Sequence, residues 1–429
     1  MVDVQSQPVQ ATVTTVGVRS NSQRQDRREL IPELGLKEYW YPAIEASKVK
    51  KKPLGLKILG EDLVFFQGKH EVAALWNVCP HRGGSLMHGD CHFEGTVSCP
   101  YHGWTYDENG NVLAVLPEGP ESKIPGKVTA RKYPTQTHRG MVFVWMGEGD
   151  PAPITEDVPP EFFTKKGIMF YATEIWPMNW RPANENAFDA HVPYVHRDAL
   201  MMVMSPMQQM GEVGMYTDIK FNRAAQCSFP GLGTAAKPYK WDFSKELGAG
   251  AQWPKTRYRM AWNWAFEWAN RRRWRKTKPN DFGEEWNGLQ HHLPAIIHLD
   301  YRTHVYSRNN IAIDATTTRQ IYYHWAKANN VLGKMYEWVH FNTFHRWAMY
   351  RNFSRQDFRA TEPQRYDTPE YLSSTDSHLV VWRRLLAKAR GMESAQGAKA
   401  VHTTKAEKAS HRLQVEVGMT PEWDLEDEG

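Results

Sequence analysis

The sequence of 429 residues predicts an α+β protein, in which an N-terminal all-β domain precedes a larger domain of antiparallel sheet and helices. Three observations support this prediction. Between about residues 36 and 148, short apolar runs such as VAALW alternate with turn sequences such as DENGN, a spacing typical of short strands. A segment with four prolines, residues 151–163, cannot stay helical and indicates a linker. Beyond it, strand-like runs such as RQIYYHWA mix with helical apolar spacing at 331–361 and 377–390.

These patterns divide the chain into four parts. We expect a flexible arm at 1–35, a first domain at 36–155, a second domain at 156–390 and a loosely held tail at 391–429. The arm is polar and poor in large apolar side chains, which is the composition of a segment that cannot bury a core. The length of the chain also favours two domains, each large enough for its own core.

The composition excludes several classes of protein. Lys plus Arg (53) exceeds Asp plus Glu (48) by 53 − 48 = 5, an excess too small to predict nucleic-acid binding by itself. No run approaches the roughly 18–20 apolar residues that a membrane span needs. Four cysteines in a chain of this length, without an apolar leader, predict a cytoplasmic protein that has no disulfide framework.

Two of these cysteines occupy matched motifs, Cys79-x-His81 and Cys99-x-x-His102. Thiolates are soft ligands and imidazole is a neutral one, so two of each can close a metal site from two adjacent hairpin loops. Because each motif mixes one Cys with one His, the pattern suits a two-iron cluster with cysteines on one iron and histidines on the other. Structural zinc is the alternative, although zinc sites usually combine a Cys-x-x-Cys knuckle with a His pair on a helix.

The stretches CPHRG and CPYHGW, with 17 residues between His81 and Cys99, resemble the Rieske motif of the ring-hydroxylating oxygenases. LGLKEYWYP, LKILGEDLV, GEGDPAPITEDVPPEF and VVWRRLLAK resemble the carbazole dioxygenase type of terminal oxygenase. The likeness extends over roughly 35–390 and is patchy between 200 and 290. It implies a Rieske [2Fe-2S] cluster bound by Cys79, His81, Cys99 and His102. It also implies a helix-grip-like second domain that holds a mononuclear Fe(II).

The run NENAFDAHVPYVHRD offers His191 and His196 as ligands of that second iron. Two histidines about a turn apart can face one pocket, and a carboxylate would complete the two-His-one-carboxylate triad that leaves iron positions open. Two histidines on a helical surface are the alternative when the run is taken in isolation. The resemblance places the carboxylate on a late helix, where we predict Asp357 and regard Glu362 as the weaker candidate.

The resemblance further implies a homotrimer, in which a carboxylate links the cluster of one subunit to the mononuclear iron of the next. We predict Asp189 in this role, bonded to His102, with Glu185 as the nearest alternative and Asn186 close to the iron. The spacing Asp189-x-His191 is one residue tighter than the family's Asp-x-x-His. Either the helix has a bulge or the roles of Asp189 and His191 are shifted.

As a function, the resemblance implies a terminal oxygenase of aromatic compound catabolism. It would use O2 and NAD(P)H-derived electrons, delivered by a ferredoxin, a reductase or both, to mono- or dihydroxylate a hydrophobic, aromatic or polycyclic substrate. A monooxygenase that performs oxidative N- or O-dealkylation is one alternative. An electron-transfer iron-sulfur protein with a non-catalytic second domain is the alternative from another class.

Two further stretches bear on substrate and partners. A methionine-rich run at 201–210 predicts an adaptable apolar pocket wall, although methionines also simply fill cores. We expect the same wall to include Phe221, Leu293, Ile296, Ile297 and Leu299. Residues 261–278 hold four Trp and six Lys or Arg, a composition that suits docking of an acidic ferredoxin. Peripheral membrane contact and a plain solvated surface remain open for this stretch, and we predict no nucleic-acid partner.

Overall fold

The structure is a computed structural model of the chain. It describes residues 31–188, 192–200, 216–220, 224–228, 244–249, 289–300, 304–366, 368–372 and 376–392, together with Arg28, Asn280, Phe282 and Trp286. No helix in this described part is both long enough and apolar enough to cross a bilayer.

The predicted N-terminal all-β architecture is confirmed. Residues 31–150 are all described and contain ten strands: β1 (Trp40–Glu45), β2 (Leu54–Ile58), β3 (Glu61–Gln67), β4 (Val72–Trp76), β5 (Thr96–Ser98), β6 (Trp104–Asp107), β7 (Val112–Val115), β8 (Lys132–Tyr133), β9 (Thr135–His138) and β10 (Met141–Trp145). They form three antiparallel sheets with the orders β1-β10-β9, β2-β3-β4-β8 and β5-β6-β7. The centres of β3 and β4 are buried on both faces, as their continuous apolar runs predict.

A tight hairpin fixes the register of β2 against β3 and contacts the second half of the chain. Leu59 and Gly60 both have positive φ (50° and 81°), the backbone of a two-residue turn that matches strand twist. The N–H groups of these two residues donate to the carbonyls of Ala312 (2.8 Å) and Ile313 (3.1 Å) in the second half of the chain. The hairpin therefore holds the two halves together through backbone hydrogen bonds.

The described residues after 150 contain one seven-stranded antiparallel sheet. Its strands are β11 (Ile168–Trp176), β12 (Tyr216–Lys220), β13 (Ala224–Ser228), β14 (Leu289–His292), β15 (Ile296–Asp300), β16 (His304–Asp314) and β17 (Thr317–Ala326), in the order β11-β17-β16-β15-β14-β13-β12. The described helices are α1 (Trp180–Glu185), α2 (Val192–Val195), α3 (Ser244–Leu247), α4 (Val331–His340), α5 (Ser354–Thr361) and α6 (Ser377–Leu386). Two π-helical stretches, Phe341–His345 and Trp347–Phe353, join α4 to α5.

The largest apolar core spans both halves of the chain. It contains Tyr41 and Trp145 from the first half with Tyr323 and Trp382 from the second. The proline-rich segment 151–163 is not helical beyond two short 3-10 turns, and its buried Phe162 packs into this same core. The two halves of the chain thus share one apolar core, and a second buried cluster around Val64, Leu75 and Tyr106 lies within the first half.

Candidate iron sites

The first Cys-His motif lies on a loop that follows β4. The N–H of Cys79 donates to the carbonyl of Gly84 (2.7 Å), and the N–H of Gly83 donates to the carbonyl of Cys79 (2.9 Å). Gly83 has a φ of 73°, in the left-handed region that glycine adopts without steric cost. The glycines of CPHRGG therefore close a tight turn around Cys79.

The second motif, between β5 and β6, repeats this arrangement. The N–H of Cys99 donates to the carbonyl of Trp104 (2.8 Å), and the N–H of Gly103 donates to the carbonyl of Cys99 (3.0 Å). Gly103 also has a positive φ, 62°. In each loop the cysteine thus forms backbone hydrogen bonds with the residues four and five positions after it. The residue four positions after each cysteine has a positive φ, which explains why it is a glycine in both motifs.

The two loops place the thiols inside and the imidazoles outside. Cys79 and Cys99 are only 2% and 3% exposed, whereas His81 is exposed and His102 is half-buried. The rings of His81 and His102 lie edge to face, with centroids 4.6 Å apart. This geometry suits a cluster with one iron held by thiolates in the interior and the other held by imidazoles at the surface, where electrons are exchanged.

The surroundings of Cys99 disfavour its thiolate form. Burial raises the pKa of the Cys99 thiol, and the adjacent Cys79 raises it further. The phenol oxygen of Tyr106 lies 2.9 Å from Cys79 Sγ. Burial, together with this contact, raises the pKa of Tyr106, so its O–H stays available as a donor to a cysteine sulfur. Iron would supply a compensating positive charge, since metal binding deprotonates cysteine.

Glycine at position 84 keeps the surroundings of the Cys99 sulfur free of a side chain. A Cβ atom added to Gly84 would lie 2.9 Å from Cys99 Sγ, so a larger residue would intrude between the sulfurs. The ring of His81 stacks on Trp104 with centroids 4.7 Å apart, which fixes its orientation. Among the described residues, no group of three or more His, Cys, Asp or Glu could hold one metal ion. A two-iron cluster needs only two protein ligands per iron, so the donor set agrees with a Rieske cluster.

Two of the three predicted ligands of the mononuclear iron are described, and they face each other. His196 follows α2 and Asp357 lies in the first turn of α5, and His196 Nε2 is 2.8 Å from Asp357 Oδ1. Two ligands at right angles on one metal, with bonds of about 2.1 Å, have donor atoms about 3 Å apart. The observed separation therefore fits neighbouring positions on one ion. The third predicted ligand, His191, lies outside the described residues.

The imidazole of His196 is held on its other side by the helical run that contains Asp357. Its Nδ1 atom lies 3.1 Å from Gln356 Oε1, and its ring stacks on Phe353 with centroids 3.6 Å apart. An amide oxygen can only accept, so Nδ1 carries the proton when this bond forms. With a metal bound, that tautomer would leave the lone pair of Nε2 for the metal, whereas without a metal an Nε2–H group would donate to Asp357 Oδ1.

A buried cation approaches the carboxylate of Asp357. Arg308 Nη1 lies 3.9 Å from Asp357 Oδ2, and the guanidinium lies over the ring of Trp176 at 5.6 Å. Burial lowers the pKa of Arg308, but Tyr306, Asp357 and other neighbours outweigh this and leave it raised. Arg308 is therefore charged, and it places a buried positive charge beside the carboxylate of Asp357.

The structure also shows the burial and contacts of the alternative carboxylates, Glu362 and Glu185. Glu362 is exposed beyond the end of α5, whereas Asp357 is 4% exposed and faces His196, so the geometry favours Asp357. Glu185 forms two hydrogen bonds of 2.7 Å with the buried guanidinium of Arg383, which occupies both of its oxygens. Asn186 is buried, and its amide oxygen has no hydrogen-bond partner in the described part of the chain.

Several predicted residues lie outside the described part. They are Asp189, the methionine-rich run 201–210, Phe221 and the basic aromatic stretch 261–278, whose roles therefore stay predictions. Of the predicted pocket wall, Leu293, Ile296 and Ile297 are buried and Leu299 is half-buried, on or beside strands β14 and β15.

Sequence reasoning missed three residues that support the iron ligands: Gln356, Phe353 and Arg308. Arg308 left a signal, because a charged residue within the long, otherwise buried strand β16 needs a buried partner. Gln356 is adjacent to the predicted ligand Asp357, but adjacency along the chain does not show that it meets His196. Phe353 has no signal that distinguishes it from an ordinary core residue.

Two regions of the chain match known protein families. Residues 39–133 match the Rieske [2Fe-2S] domain family, and residues 145–210 match the homotrimeric ring hydroxylase family. The terminal oxygenase component of carbazole 1,9a-dioxygenase from Metapseudomonas resinovorans is 34% identical over 172 residues, which are 40% of this chain and 45% of that protein. The matched region thus spans about half the length of this curated relative.

Solved structures resemble a larger share of the chain. The terminal oxygenase of carbazole 1,9a-dioxygenase from Nocardioides aromaticivorans IC177 aligns with a TM-score of 0.66 at 24% identity, over 85% of this chain and 97% of that one. The oxygenase in the reduced complex with ferredoxin in carbazole 1,9a-dioxygenase aligns with a TM-score of 0.65 at 22% identity, over 84% and 90%. These alignments confirm the predicted fold, an all-β Rieske domain followed by an α+β domain.

Proposed function

We propose that this chain, a member of the Rieske-type ring-hydroxylating oxygenases, is the terminal oxygenase component of a multicomponent enzyme. The observation that supports this most directly is the meeting of His196 and Asp357 at 2.8 Å in the interior of a chain that also has a Rieske domain. An electron-transfer protein with a non-catalytic second domain does not need a histidine and a carboxylate paired in the interior of that domain. We propose His191 as the third ligand.

When bound, the cluster would supply single electrons, and the mononuclear iron would supply the site at which O2 is reduced and substrate is oxidised. The protein's own residues then have three tasks. Cys79, His81, Cys99 and His102 hold the cluster with its histidine side at the surface. Gln356 orients the ring of His196 through Nδ1, and Arg308 places a positive charge beside the carboxylate of Asp357.

The surroundings of the second site are suited to excluding water. Trp176, Met178, Ala183 and Phe358 form a buried apolar cluster that includes residues from β11, α1 and α5. Phe353 covers one face of the His196 ring. A dry, low-dielectric surrounding protects reactive intermediates from side reactions with water. It also favours a hydrophobic substrate over a polar one.

We propose a hydrophobic aromatic or polycyclic substrate, positioned against Ile297 and Leu299. These two residues lie on one face of β15 and pack in the same apolar cluster, whereas Ile296 faces the other side of the strand and Leu293 belongs to the large core. An apolar wall of this kind can bind a ring system without leaving polar groups unpaired. Whether one or two hydroxyl groups are added depends on how the ring is placed relative to the iron. Oxygen uptake with a panel of such aromatics, together with the mass of each product, would identify the substrate and the reaction.

Electrons would come from NAD(P)H through a reductase, a ferredoxin or both. The exposed side of His81 and the half-buried ring of His102 offer an entry point for such a donor. One of the similar solved structures is a complex between an oxygenase and a ferredoxin, which supports a ferredoxin as partner. The family match at 145–210 supports a homotrimer, in which His102 would approach the second iron site of a neighbouring copy.

The purified protein tests this proposal before any substrate is known. We expect a brown protein with about three irons per chain, two in the cluster and one alone. NADH-dependent oxygen uptake should require added reductase and ferredoxin. A colourless protein that contains one zinc per chain would contradict the proposal, and a brown protein with only two irons would favour the electron-transfer alternative.

Asp189 is the proposed link between the cluster of one subunit and the iron of the next. A carboxylate hydrogen-bonded to one imidazole of each site orients both rings and provides a short bonded route for the electron. Asp189→Asn should therefore keep the cluster absorbance and most of the iron. Oxidation of the reduced cluster in a single turnover should nevertheless slow by orders of magnitude. A nearly normal rate would show that another residue forms the link.

A further inference from the structure

Helix α4 (Val331–His340) and the π-helical stretches after it expose an unusual number of large apolar side chains. No residue of α4 is buried. The exposed apolar residues of this run are Val331 (80%), Leu332 (72%), Met335 (58%), Tyr336 (58%), Trp338 (57%), Val339 (47%), Phe344 (39%) and Trp347 (50%). A contiguous exposed apolar surface of this kind marks an interaction site in soluble proteins.

The orientation of α4 is the reverse of an ordinary surface helix. Its least exposed residues are Gly333, Glu337 and His340, which are spaced four and three positions apart and so lie on one side. This side is polar or small and faces the protein, whereas the apolar face points to solvent. A surface helix normally buries its apolar stripe. We define the exposed face of α4 as the α4 face: Val331, Leu332, Met335, Tyr336, Trp338 and Val339.

The charge around the α4 face is positive. Lys334, Arg346 and Arg351 are exposed along the same helical run, whereas Glu337 is half-buried. An occupant of this surface should therefore combine apolar side chains with negative charge. Charge complementarity of this kind determines register and discriminates between partners.

A segment of the same chain has this composition. Residues 411–429, HRLQVEVGMTPEWDLEDEG, contain six acidic residues and one arginine. Their apolar residues are Leu413, Val415, Val417, Met419, Trp423 and Leu425, and the first four alternate with other residues. The segment therefore combines apolar side chains with negative charge.

We propose that residues 411–429 dock on the α4 face and bury it. The residues between the last described position, Met392, and this segment are 393–410, a small and polar run. Eighteen extended residues span at most about 60 Å, whereas a 429-residue domain has a radius of gyration of about 22 Å, so the segment can reach the face. Tethering gives a local concentration on the order of 1 mM, so a dissociation constant of about 0.1 mM would keep the face covered about nine-tenths of the time.

Hydroxyl-radical footprinting of the iron-loaded, full-length chain tests the proposal. The oxidation of Met335 and Trp338 is quantified by mass spectrometry in the wild type and in the variant Trp423→Ser/Leu425→Ser. We expect these side chains to oxidise several-fold faster in the variant, because the docked segment no longer covers them. Tyr371, which is 91% exposed, serves as an internal reference that should not change. Val401→Ser, in the connecting run, is the matched control and should behave as the wild type.

The reciprocal experiment changes the face instead of the segment. In Leu332→Ser/Val339→Ser, trypsin should cleave after Arg412 several-fold faster than in the wild type, and added salt should accelerate cleavage in the wild type by screening the charges. Far-UV circular dichroism verifies that the variant is folded. Equal oxidation of Met335 in the wild type and the segment variant would overturn the proposal. Protection that persists in that variant and rises with protein concentration would instead indicate a second copy of the chain. Protection that appears only with anionic phospholipid vesicles would indicate a membrane.

Discussion

The two candidate iron sites differ in how their residues are distributed along the chain. The four proposed cluster ligands lie within the 25 residues 79–103, on two loops with the same backbone hydrogen bonds. The two described residues proposed as ligands of the second site, His196 and Asp357, are 357 − 196 = 161 residues apart. They meet only because α5 packs beside α2 in the folded protein. The cluster site is therefore a local structure, whereas the mononuclear site is a product of the tertiary fold.

This difference predicts how each site responds to change. A local site depends on its own turns and should keep its metal when residues elsewhere in the chain are substituted. A site that joins distant segments depends on each contact that positions them, including contacts with residues that bind no metal. A variant at one site should therefore lose the metal of that site and keep the metal of the other.

The largest effect should come from Cys99→Ser. Loss of one of two thiolates on the same iron should remove the cluster, its absorbance and all turnover, since serine is a poor ligand for this metal. The mononuclear iron should remain, because its ligands come from other elements. Iron analysis and the visible spectrum measure both outcomes. Loss of all iron from a folded variant would contradict the independence of the two sites.

The converse variant is Asp357→Ala. It removes a ligand of the second site, so we expect loss of the mononuclear iron and of oxygen uptake, with an unchanged cluster spectrum. Glu362→Ala is the matched control, because Glu362 is an exposed carboxylate just beyond the same helix. If Glu362→Ala lost the iron and Asp357→Ala kept it, the assignment of the carboxylate would be wrong.

The fold was predictable where one local pattern determines the structure. The runs LVFF and VAALW form the buried strands β3 and β4, and the two cysteine motifs form the matched loops that their glycines indicate. Apolar spacing likewise identified the helical run at 331–361. It did not reveal that Met335 and Trp338 face solvent while Phe341 and Met349 are buried, because periodicity shows that a helix is amphipathic without showing which face is covered.

The supporting residues of the second site were not predictable for a related reason. His196 and Asp357 were identified by residue type and resemblance, but the contact between His196 and Gln356 depends on where α5 lies in three dimensions. The π-helical backbone at 341–353 was also missed, since spacings of four and five residues are not distinguished by a short apolar pattern. Sequence patterns thus predicted the ligands, whereas the contacts around them depend on packing.

A smaller effect than ligand loss should follow from Gln356→Leu. Without the amide oxygen, the Nδ1 proton and ring orientation of His196 are no longer fixed, and removal of such a partner typically weakens metal binding about 10–100-fold. We expect reduced iron affinity in equilibrium dialysis, with the cluster spectrum intact. Gln356→Glu keeps an acceptor at this position and should restore most of the affinity. Gln364→Leu, at an exposed glutamine, is the control. Equal affinity in Gln356→Leu and the wild type would show that Gln356 does not position the ligand.

The smallest effect should be seen at the local site, in Tyr106→Phe. The phenol of Tyr106 lies 2.9 Å from Cys79 Sγ, and a donor to a cluster thiolate stabilises the more negative, reduced state. Removal of one hydrogen bond of about 1 kcal/mol should lower the one-electron reduction potential by about 40 mV. The cluster itself should stay, because all four ligands and both turns are intact. Redox titration followed by absorbance measures the shift. Tyr133→Phe, which removes a buried phenol bonded to Glu61 in the same half of the chain, should leave the potential unchanged. If Tyr106→Phe lost the cluster altogether, the site would depend on its surroundings as strongly as the mononuclear site does, and the contrast between the two would fail.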